Sequence, residues 1–286
     1  MAPATDSLLE ERRDHPHPAD GTAAAYALGE SDAEAARLRV LDAVYGSTSR
    51  ALLVDAGIAV GWRCLDIGCG TGLVTHWLGE KVGASGGALG VDISDLFLAQ
   101  ARGASKQHVV PHVQFAVSDA GAGNIGEAPF DLVYARCLLS HLAQPARVLQ
   151  RMAALTKPGG VICVEDIDCG TGLPVAASPA HLRYWQLYRA VIAHHGGDPS
   201  LGRKLPRLFH AAGLKPAHVG VVSPTEPAED IRRLSPLTLA SLRPALLRAQ
   251  LAAAAEVDDL IGALHSIDHT TAACPMVQVW ARKSIA

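Results

Sequence analysis

The stretch "LDIGCGTGLVT", Leu65–Thr75, decides the fold. An apolar run ends on an acid, Asp66; three alternating glycines follow, Gly68, Gly70 and Gly72; and apolar residues then resume with a helical pattern. Strand, glycine turn and helix in that order make the first half of a crossover unit. Missing side chains let a ligand approach the backbone of the turn, and the following helix starts with unpaired N–H groups that suit a negative group. A carboxylate at the mouth of such a loop is the feature that needs explaining.

The same rhythm repeats downstream. "RCLDIG", "GALGVDIS", "HVQFAVSD", "FDLVYAR" and "VICVEDID" read as strands, separated by helical "TGLVTHWLGEKVG", "DLFLAQARGASKQ" and "PARVLQRMAALTKPGG". Near-continuous apolar strands alternating with helices imply a parallel sheet covered on both faces, hence a doubly wound α/β fold. Upstream, "SDAEAARLRVLDAVYG" opens with Ser31 three residues before Glu34, a capping-box pattern, and a second helix, "STSRALLVDAGI", is expected to end near Gly57. Downstream of Asp168, "SPAHLRYWQLYRAVIAHHGGD" and "LGRKLPRLFHAAGL" read as helices and "KPAHVGVVSP" as a strand. One alanine- and leucine-rich helical run follows from about Glu226 to Leu264, before a closing strand "PMVQVWARK". The expected organisation is a mobile tail over residues 1–25 and one domain over 26–286. That domain has N-terminal helices in 26–60, a cofactor-binding half in 61–168, and a substrate-side half in 169–286 with a helical insertion at about 224–270.

Composition excludes several function classes. The 286 residues are 49% hydrophobic and 19% charged with a net charge of -3, and the basic residues are scattered, which argues against a nucleic-acid partner. No apolar run approaches the roughly 20 residues that span a bilayer, and the N-terminus is too polar and acidic for a signal peptide, so the expected setting is the cytoplasm with no membrane partner. Six cysteines without a CxxC pair and 13 histidines without HExxH spacing give no metal site.

Asp66 discriminates among ligands for the loop. It would repel a pyrophosphate, and more so as the site dries out, whereas the ammonium of a zwitterionic amino acid would meet it while the carboxylate meets the helix N-terminus. Asp92, about 20 residues on at the tip of the second strand, is placed for a ribose diol. Asp119, after the third strand, is placed for an adenine amino group. S-adenosylmethionine carries all three features in one molecule.

"LDIGCGTG", "GVDIS", "FAVSDA", "FDLVYARCLLSHL" and "KPGGVICVED" fall in an order and spacing that resembles the class I S-adenosylmethionine-dependent methyltransferases. Within that class, "YALGESDAEAARL", "RCLLSHLAQPARVL" and "GGDPSLGRKLPRLFHAAGL" look like a small-molecule branch of specialised metabolism. The resemblance implies a Rossmann-like seven-stranded sheet with its last strand antiparallel; the helices inserted between the last two strands are expected to cover its ligand-binding edge as a lid. It also implies that Asp66, Gly68, Gly70 and Thr71 line the methionine end, that Asp92 and Ile93 hold the ribose, and that Ser118, Asp119 and Ala120 flank the adenine. Arg136 matches a position whose backbone faces the methionine portion, and Tyr26 a tyrosine that closes over the donor.

A sulfonium donor makes the methyl carbon electrophilic, so alignment of the acceptor supplies much of the rate, and a base matters only when the nucleophile must lose a proton. His141, Glu165, His194 and His195 are the candidates for that role. Each also has a structural reading: a satisfied helix end for His141, an arginine partner for Glu165, and a helix C-terminal signal for the histidine pair. Tyr184, Trp185 and Tyr188 share helical spacing, which reads first as core packing; an apolar roof of this kind would suit an aromatic or polyketide-like acceptor. Two further readings stand beside methyl transfer: a NAD-linked oxidoreductase, and a non-methylating or regulatory member that keeps the cofactor as structure. A homodimer is possible through the N-terminal segment or the inserted helices.

Overall fold

The computed structural model describes residues 26–107, 111–123, 125, 129–170, 178–267 and 273–285. The expected tail, residues 1–25, lies outside the described residues. The element order is α1 (Asp32–Asp55), β1 (Arg63–Ile67), α2 (Leu73–Val82), β2 (Gly87–Asp92), α3 (Asp95–Gln107), β3 (Val113–Val117), β4 (Phe130–Arg136), α4 (Pro145–Leu155) and β5 (Thr156–Ile167). It continues through α5 (Pro179–His194), α6 (Leu205–Ala211), β6 (Pro216–Val222), α7 (Ala228–Arg248), α8 (Ala254–His265) and β7 (Met276–Arg282).

The strands form a seven-stranded sheet in the order β3-β2-β1-β4-β5-β7-β6. Strands β1 to β5 pair in parallel, and β7 runs antiparallel to both β5 and β6. Because β1 is flanked by β2 on one side and β4 on the other, the chain order reverses at its tip, the position where open α/β sheets bind ligands. Two cores cover the two faces. Leu149, Met152 and Phe209 pack with Leu65, Val133 and Val164 on one, and Leu53, Val74 and Leu78 pack with Cys64, Leu132 and Tyr134 on the other. Successive residues of a strand point to opposite faces, so β1, β4 and β5 need apolar residues at nearly every position.

A third core lies beyond the strand tips. Ala27 and Leu28 pack there with Tyr184, Leu187, Tyr188 and Val191 of α5, Leu239, Leu242 and Leu246 of α7, and Val257 and Leu260 of α8. The helices between β6 and β7 thus form a roof rather than widening the sheet.

Three local expectations are corrected. The two N-terminal helices are one, the 24-residue α1, which runs through Gly46, Ser47, Thr48 and Ser49 without a break. Ser31 caps it by accepting from the Glu34 N–H at 3.1 Å. Packing overrides the weak propensity of the glycine–serine stretch: Val44 and Tyr45 are buried against Ile231 and Met276, and the Tyr45 hydroxyl donates to the Cys274 carbonyl at 2.6 Å. Strand β5 starts at Thr156, so "TKPGG" is extended, not the end of α4. Thr156 pairs with Phe130, and a register irregularity before Val161 absorbs the proline and glycines. The helical run from 226 to 264 is divided at Gln250, which has φ 55, and becomes α7 and α8.

Helix α2 begins after Gly72, in a left-handed conformation with φ 77. A Cβ there would stand 2.7 Å from two ring carbons of Phe115 and 2.9 Å from the Ala101 Cβ. Gly72→Ala is therefore expected to cost about 2 kcal/mol or more, combining left-handed strain with the clash, and to lower the melting temperature by several degrees in a calorimetric scan.

Candidate functional site

Crossover connections leave the C-terminal ends of β1 to β5 on one edge, and the loops there surround a cavity of about 780 Å³. Its floor is the turn after β1. Gly68, Gly70 and Gly72 all have positive φ, at 71°, 53° and 77°, which is why the turn needs glycine at alternate positions. The turn is held by its own amides. Gly68 and Cys69 N–H both donate to the Val91 carbonyl at 2.8 and 3.0 Å, Gly72 N–H donates to the Cys69 carbonyl at 2.9 Å, and Gly70 N–H donates to Asp92 Oδ2 at 2.8 Å.

Asp92 ends β2 and serves two segments at once. Its other oxygen accepts from the Ser94 N–H at 3.0 Å, and the Ser94 hydroxyl in turn donates to Glu30 at 2.9 Å. Burial raises the Asp92 pKa in spite of these backbone donors. Asp66, 3% exposed, accepts from the Thr75 hydroxyl at 2.7 Å, and Thr75 is its one hydrogen-bond donor among the described residues. Desolvation pushes its carboxyl up to about 6, against the lowering effects of Thr75 and Arg136. Asp119, two residues past β3, accepts from the Gly121 and Ala122 N–H groups at 2.6 and 2.8 Å, so its turn role is realised. Arg151 of α4 braces the same turn through the carbonyls of Asp119, Ala120 and Gly123.

The opposite wall comes from β4 and the roof. Arg136 donates to Asp42 at 2.9 Å and to Ser49 at 3.2 Å, both on α1, so its guanidinium is committed to the helix. His141 follows in a 3-10 turn, Leu139–His141. Its ring meets the edge of Tyr26 at 5.2 Å between centroids, Nδ1 is buried, and neither ring nitrogen has a hydrogen-bond partner among the described residues. Burial and the nearby Arg37 and His195 lower its pKa to about 4, so the imidazole is neutral at physiological pH. The Tyr26 hydroxyl donates to Glu34 at 3.3 Å.

The structure brings Tyr26, Asp66, Gly68, Gly70, Thr71, Asp92, Ile93, Ser118, Asp119, Ala120, Arg136 and His141 to this one cavity. It does not bring Glu165, His194 or His195 there. Strand β5 continues two residues past Glu165 to Ile167, so that carboxylate lies within the sheet, fully buried, accepting from the Tyr134 hydroxyl at 2.5 Å and the Gln278 amide at 2.6 Å. His195 caps α5, its Nδ1 2.9 Å from the Val191 carbonyl, and His194 lies exposed beside it. Of the three aromatics read as a possible roof, Tyr188 lines the cavity, and sequence reasoning missed Glu30, Arg37 and Arg248, which line it too. Arg37 had a signal: a charge three residues after Glu34 on the stripe that carries Leu38 and Leu41. Arg248 had none, because only the folding of α7 over the sheet brings it near.

Comparison with known proteins agrees with this architecture. The family profile described as "Methyltransferase domain" matches residues 58–213, more than half of the chain. The chain belongs to the class I S-adenosylmethionine-dependent methyltransferase family. A relative, trans-aconitate 2-methyltransferase of Methylobacterium radiotolerans, is 30% identical over 174 residues, 59% of each chain. Matched stretches cover 59%, 53% and 44% of the first three such relatives, so the chain spans about half the length of the curated relatives it matches. Two solved structures share the fold at 19% identity. Phosphoethanolamine N-methyltransferase 2 of Haemonchus contortus, in complex with phosphomonomethylethanolamine and S-adenosylhomocysteine, has a TM-score of 0.54 over 83% of this chain and 52% of that one. The [4+2]-cyclase SpnF has a TM-score of 0.50 over 80% and 77%.

The methyltransferase cofactor fits the residues present. The floor of the cavity holds a buried carboxylate, Asp66, with a single hydroxyl donor and no cation bound to it among the described residues, a poor state for an isolated acid and a suitable one for an ammonium. Burial that raises the Asp66 pKa from 3.8 to about 6 costs folding free energy above pH 6, where the carboxylate must ionise in place, and none below 3.8. Asp66→Asn is expected to stabilise the ligand-free chain at pH 7 by about 1–3 kcal/mol, seen as a higher melting temperature, while S-adenosylhomocysteine binding by calorimetry weakens at least about tenfold.

Proposed function

We propose that this chain transfers a methyl group from S-adenosylmethionine to a small-molecule acceptor with an aromatic or polyketide-like body. The observation that carries the reading is the convergence of Asp66, Asp92 and Asp119, from the tips of three adjacent strands, on one cavity that His141 and Tyr26 also line. A small-molecule acceptor is supported by the relative named trans-aconitate 2-methyltransferase. An apolar body is supported by Tyr26, Leu28, Leu142, Ile167 and Tyr188 on the roof side. A cytoplasmic setting is supported by the six cysteines, all free thiols.

When bound, the cofactor supplies a methyl group on a sulfonium whose leaving group is neutral. In this reading Asp66 meets the ammonium, and Asp92 faces the ribose hydroxyls while holding the glycine turn through Gly70. Ile93 joins Asp92 at the ribose, and Ser118, Asp119 and Ala120 flank the adenine. Tyr26 closes the cavity, its ring set against His141. A neutral His141 with a conjugate acid near 4 is a weak base at pH 7. Its part is to hydrogen-bond the acceptor's hydroxyl or amine and aim its lone pair along the carbon–sulfur axis, in a site that excludes water.

Incubation with labelled S-adenosylmethionine and a panel of phenols, hydroxy acids and polyketide acids tests the reading. Transfer to at least one acceptor is expected; cofactor binding without transfer to any of them would favour a non-methylating role. His141→Ala is expected to lower turnover roughly 100-fold with donor affinity within about twofold, and His141→Gln, which restores a hydrogen-bonding group, to recover part of the loss.

Donor affinity should also follow the Asp66 titration. The ammonium binds the ionised carboxylate, so affinity weakens as pH falls below about 6, by up to tenfold per unit. Asp66→Asn should flatten that profile. His141, already neutral above about pH 5, should leave it unchanged.

A further inference from the structure

Beneath the roof, away from the glycine turn, two thiols meet. Cys169 and Cys274, 105 residues apart in sequence, have their sulfurs 3.5 Å apart, and among the described residues this is the one thiol–thiol contact. Sheet register explains the meeting. Strands β5 and β7 pair antiparallel through Glu165 with Gln278 and Ile167 with Met276, and the Asp168 N–H donates to the Pro275 carbonyl at 2.8 Å. That bond makes Asp168 and Pro275 a hydrogen-bonded pair. The next pair, Cys169 and Cys274, therefore falls at a non-hydrogen-bonded position, where opposed Cα atoms stand about 4.5 Å apart. A disulfide takes a Cα separation of about 4.4–6.8 Å, so the register suits one.

Each cysteine is held by its main chain. The Cys169 N–H donates to the Pro199 carbonyl at 2.9 Å, its own carbonyl accepts from Arg189 Nη1 at 3.0 Å, and the Cys274 carbonyl accepts from the Tyr45 hydroxyl at 2.6 Å. Bond formation then needs the sulfurs to close by about 1.5 Å, to a distance of about 2.05 Å, with little change in the backbone.

The pair also stands where the chain enters and leaves the roof. Helix α5 follows Cys169, and α8 precedes Cys274, which leads into β7. Both cysteines belong to the roof core, together with Tyr188, and Ile167, two residues before Cys169, lines the cavity. A bond at this point ties the outgoing and returning stems of the roof to each other. The two thiols differ in access. Cys169 is 7% exposed and burial pushes its thiol pKa up, whereas Cys274 is partly exposed. Cys274 is thus the sulfur that an oxidant reaches first.

We propose that Cys169 and Cys274 are a redox pair that hydrogen peroxide converts to an intrachain disulfide, and that this bond clamps the two stems of the roof. The Cys274 sulfur attacks the O–O bond and becomes a sulfenic acid, and one water leaves. The Cys169 sulfur then displaces the sulfenic hydroxyl, which departs as water with the Cys169 proton. Two thiols and one peroxide give one disulfide and two waters, so the sulfurs lose the two electrons that the peroxide gains.

Peroxide treatment of the folded, unaltered chain tests the pairing, followed by alkylation in denaturant and digestion with trypsin and a glutamyl endopeptidase. Cleavage after Glu165 separates Cys163 from Cys169. Mass spectrometry is expected to show residues 166–183 linked to residues 257–282, each peptide holding one cysteine, with a loss of two hydrogens that dithiothreitol restores. In the oxidised chain, amide hydrogen exchange in α5 and α8 is expected to slow by at least about threefold. Cys274→Ser should abolish the link and the slowing, and Cys169→Ser should leave a sulfenic acid at Cys274, trapped by dimedone, with no link. Comparison of two redox states of one chain does not depend on how well either variant folds. A link through Cys137 or between two chains, or oxidation of Cys274 to the sulfinic acid without a link, would overturn the pairing. A formed link that leaves exchange in α5 and α8 unchanged would overturn the clamp.

Discussion

Strand β1 pairs in parallel with β2 on one edge and with β4 on the other, and the site takes its position from that arrangement. Two parallel neighbours on opposite sides require crossovers that leave in opposite directions, so a crevice opens at the β1 tip. The glycine turn fills the crevice with backbone instead of side chains. Its amides close on Val91, Cys69 and Asp92, which locks the tip of β1 to the tip of β2. Asp92 is then a structural acceptor and a cavity-lining acid at once, and neither role is separable from the sheet order.

Around this crevice the buried charges are of two kinds. Arg136 with Asp42, and Glu165 with Tyr134 and Gln278, are satisfied inside the protein; they tie α1 and β7 to the centre of the sheet. Asp66 and Arg37 are only partly satisfied, and both border the cavity. Low dielectric makes a completed network strong and an incomplete one costly. Incomplete pairing therefore sets these two cavity-lining groups apart from those that hold the fold. Glu165 and Asp66 are both acids on apolar strands of the same sheet, with β4 between them, yet they fall on opposite sides of that division.

Much of this was legible along the chain because it is local. Apolar strands, glycine turns and helical spacing each act within a few residues, so β1 to β4 and the three acids at or just past the strand tips could be read directly. Readings failed where a distant partner decided. Gly46 to Ser49 looked like a break, but contacts with α7 and Cys274 carry α1 straight through. Glu165 was a candidate base, but pairing with β7 prolongs β5 beyond it and keeps the carboxylate within the sheet. The histidines at 194 and 195 are the local case: they stand at the end of α5, where the helix-end reading put them, with His195 Nδ1 2.9 Å from the Val191 carbonyl and His194 exposed.

The sequence by itself determined the fold class, the site of the glycine turn and the acids that line it, because a strand, a tight turn and the residue at a strand's end are set by the nearest neighbours in the chain. Only the tertiary structure decided which charges stay unpaired. Glu165 is completed by Tyr134 and Gln278 from elements far away in sequence, whereas Asp66 and Arg37 have, among the described residues, only the nearby Thr75 and Glu34, and desolvation, the force that makes pairing matter, arises only once the core and the roof have closed.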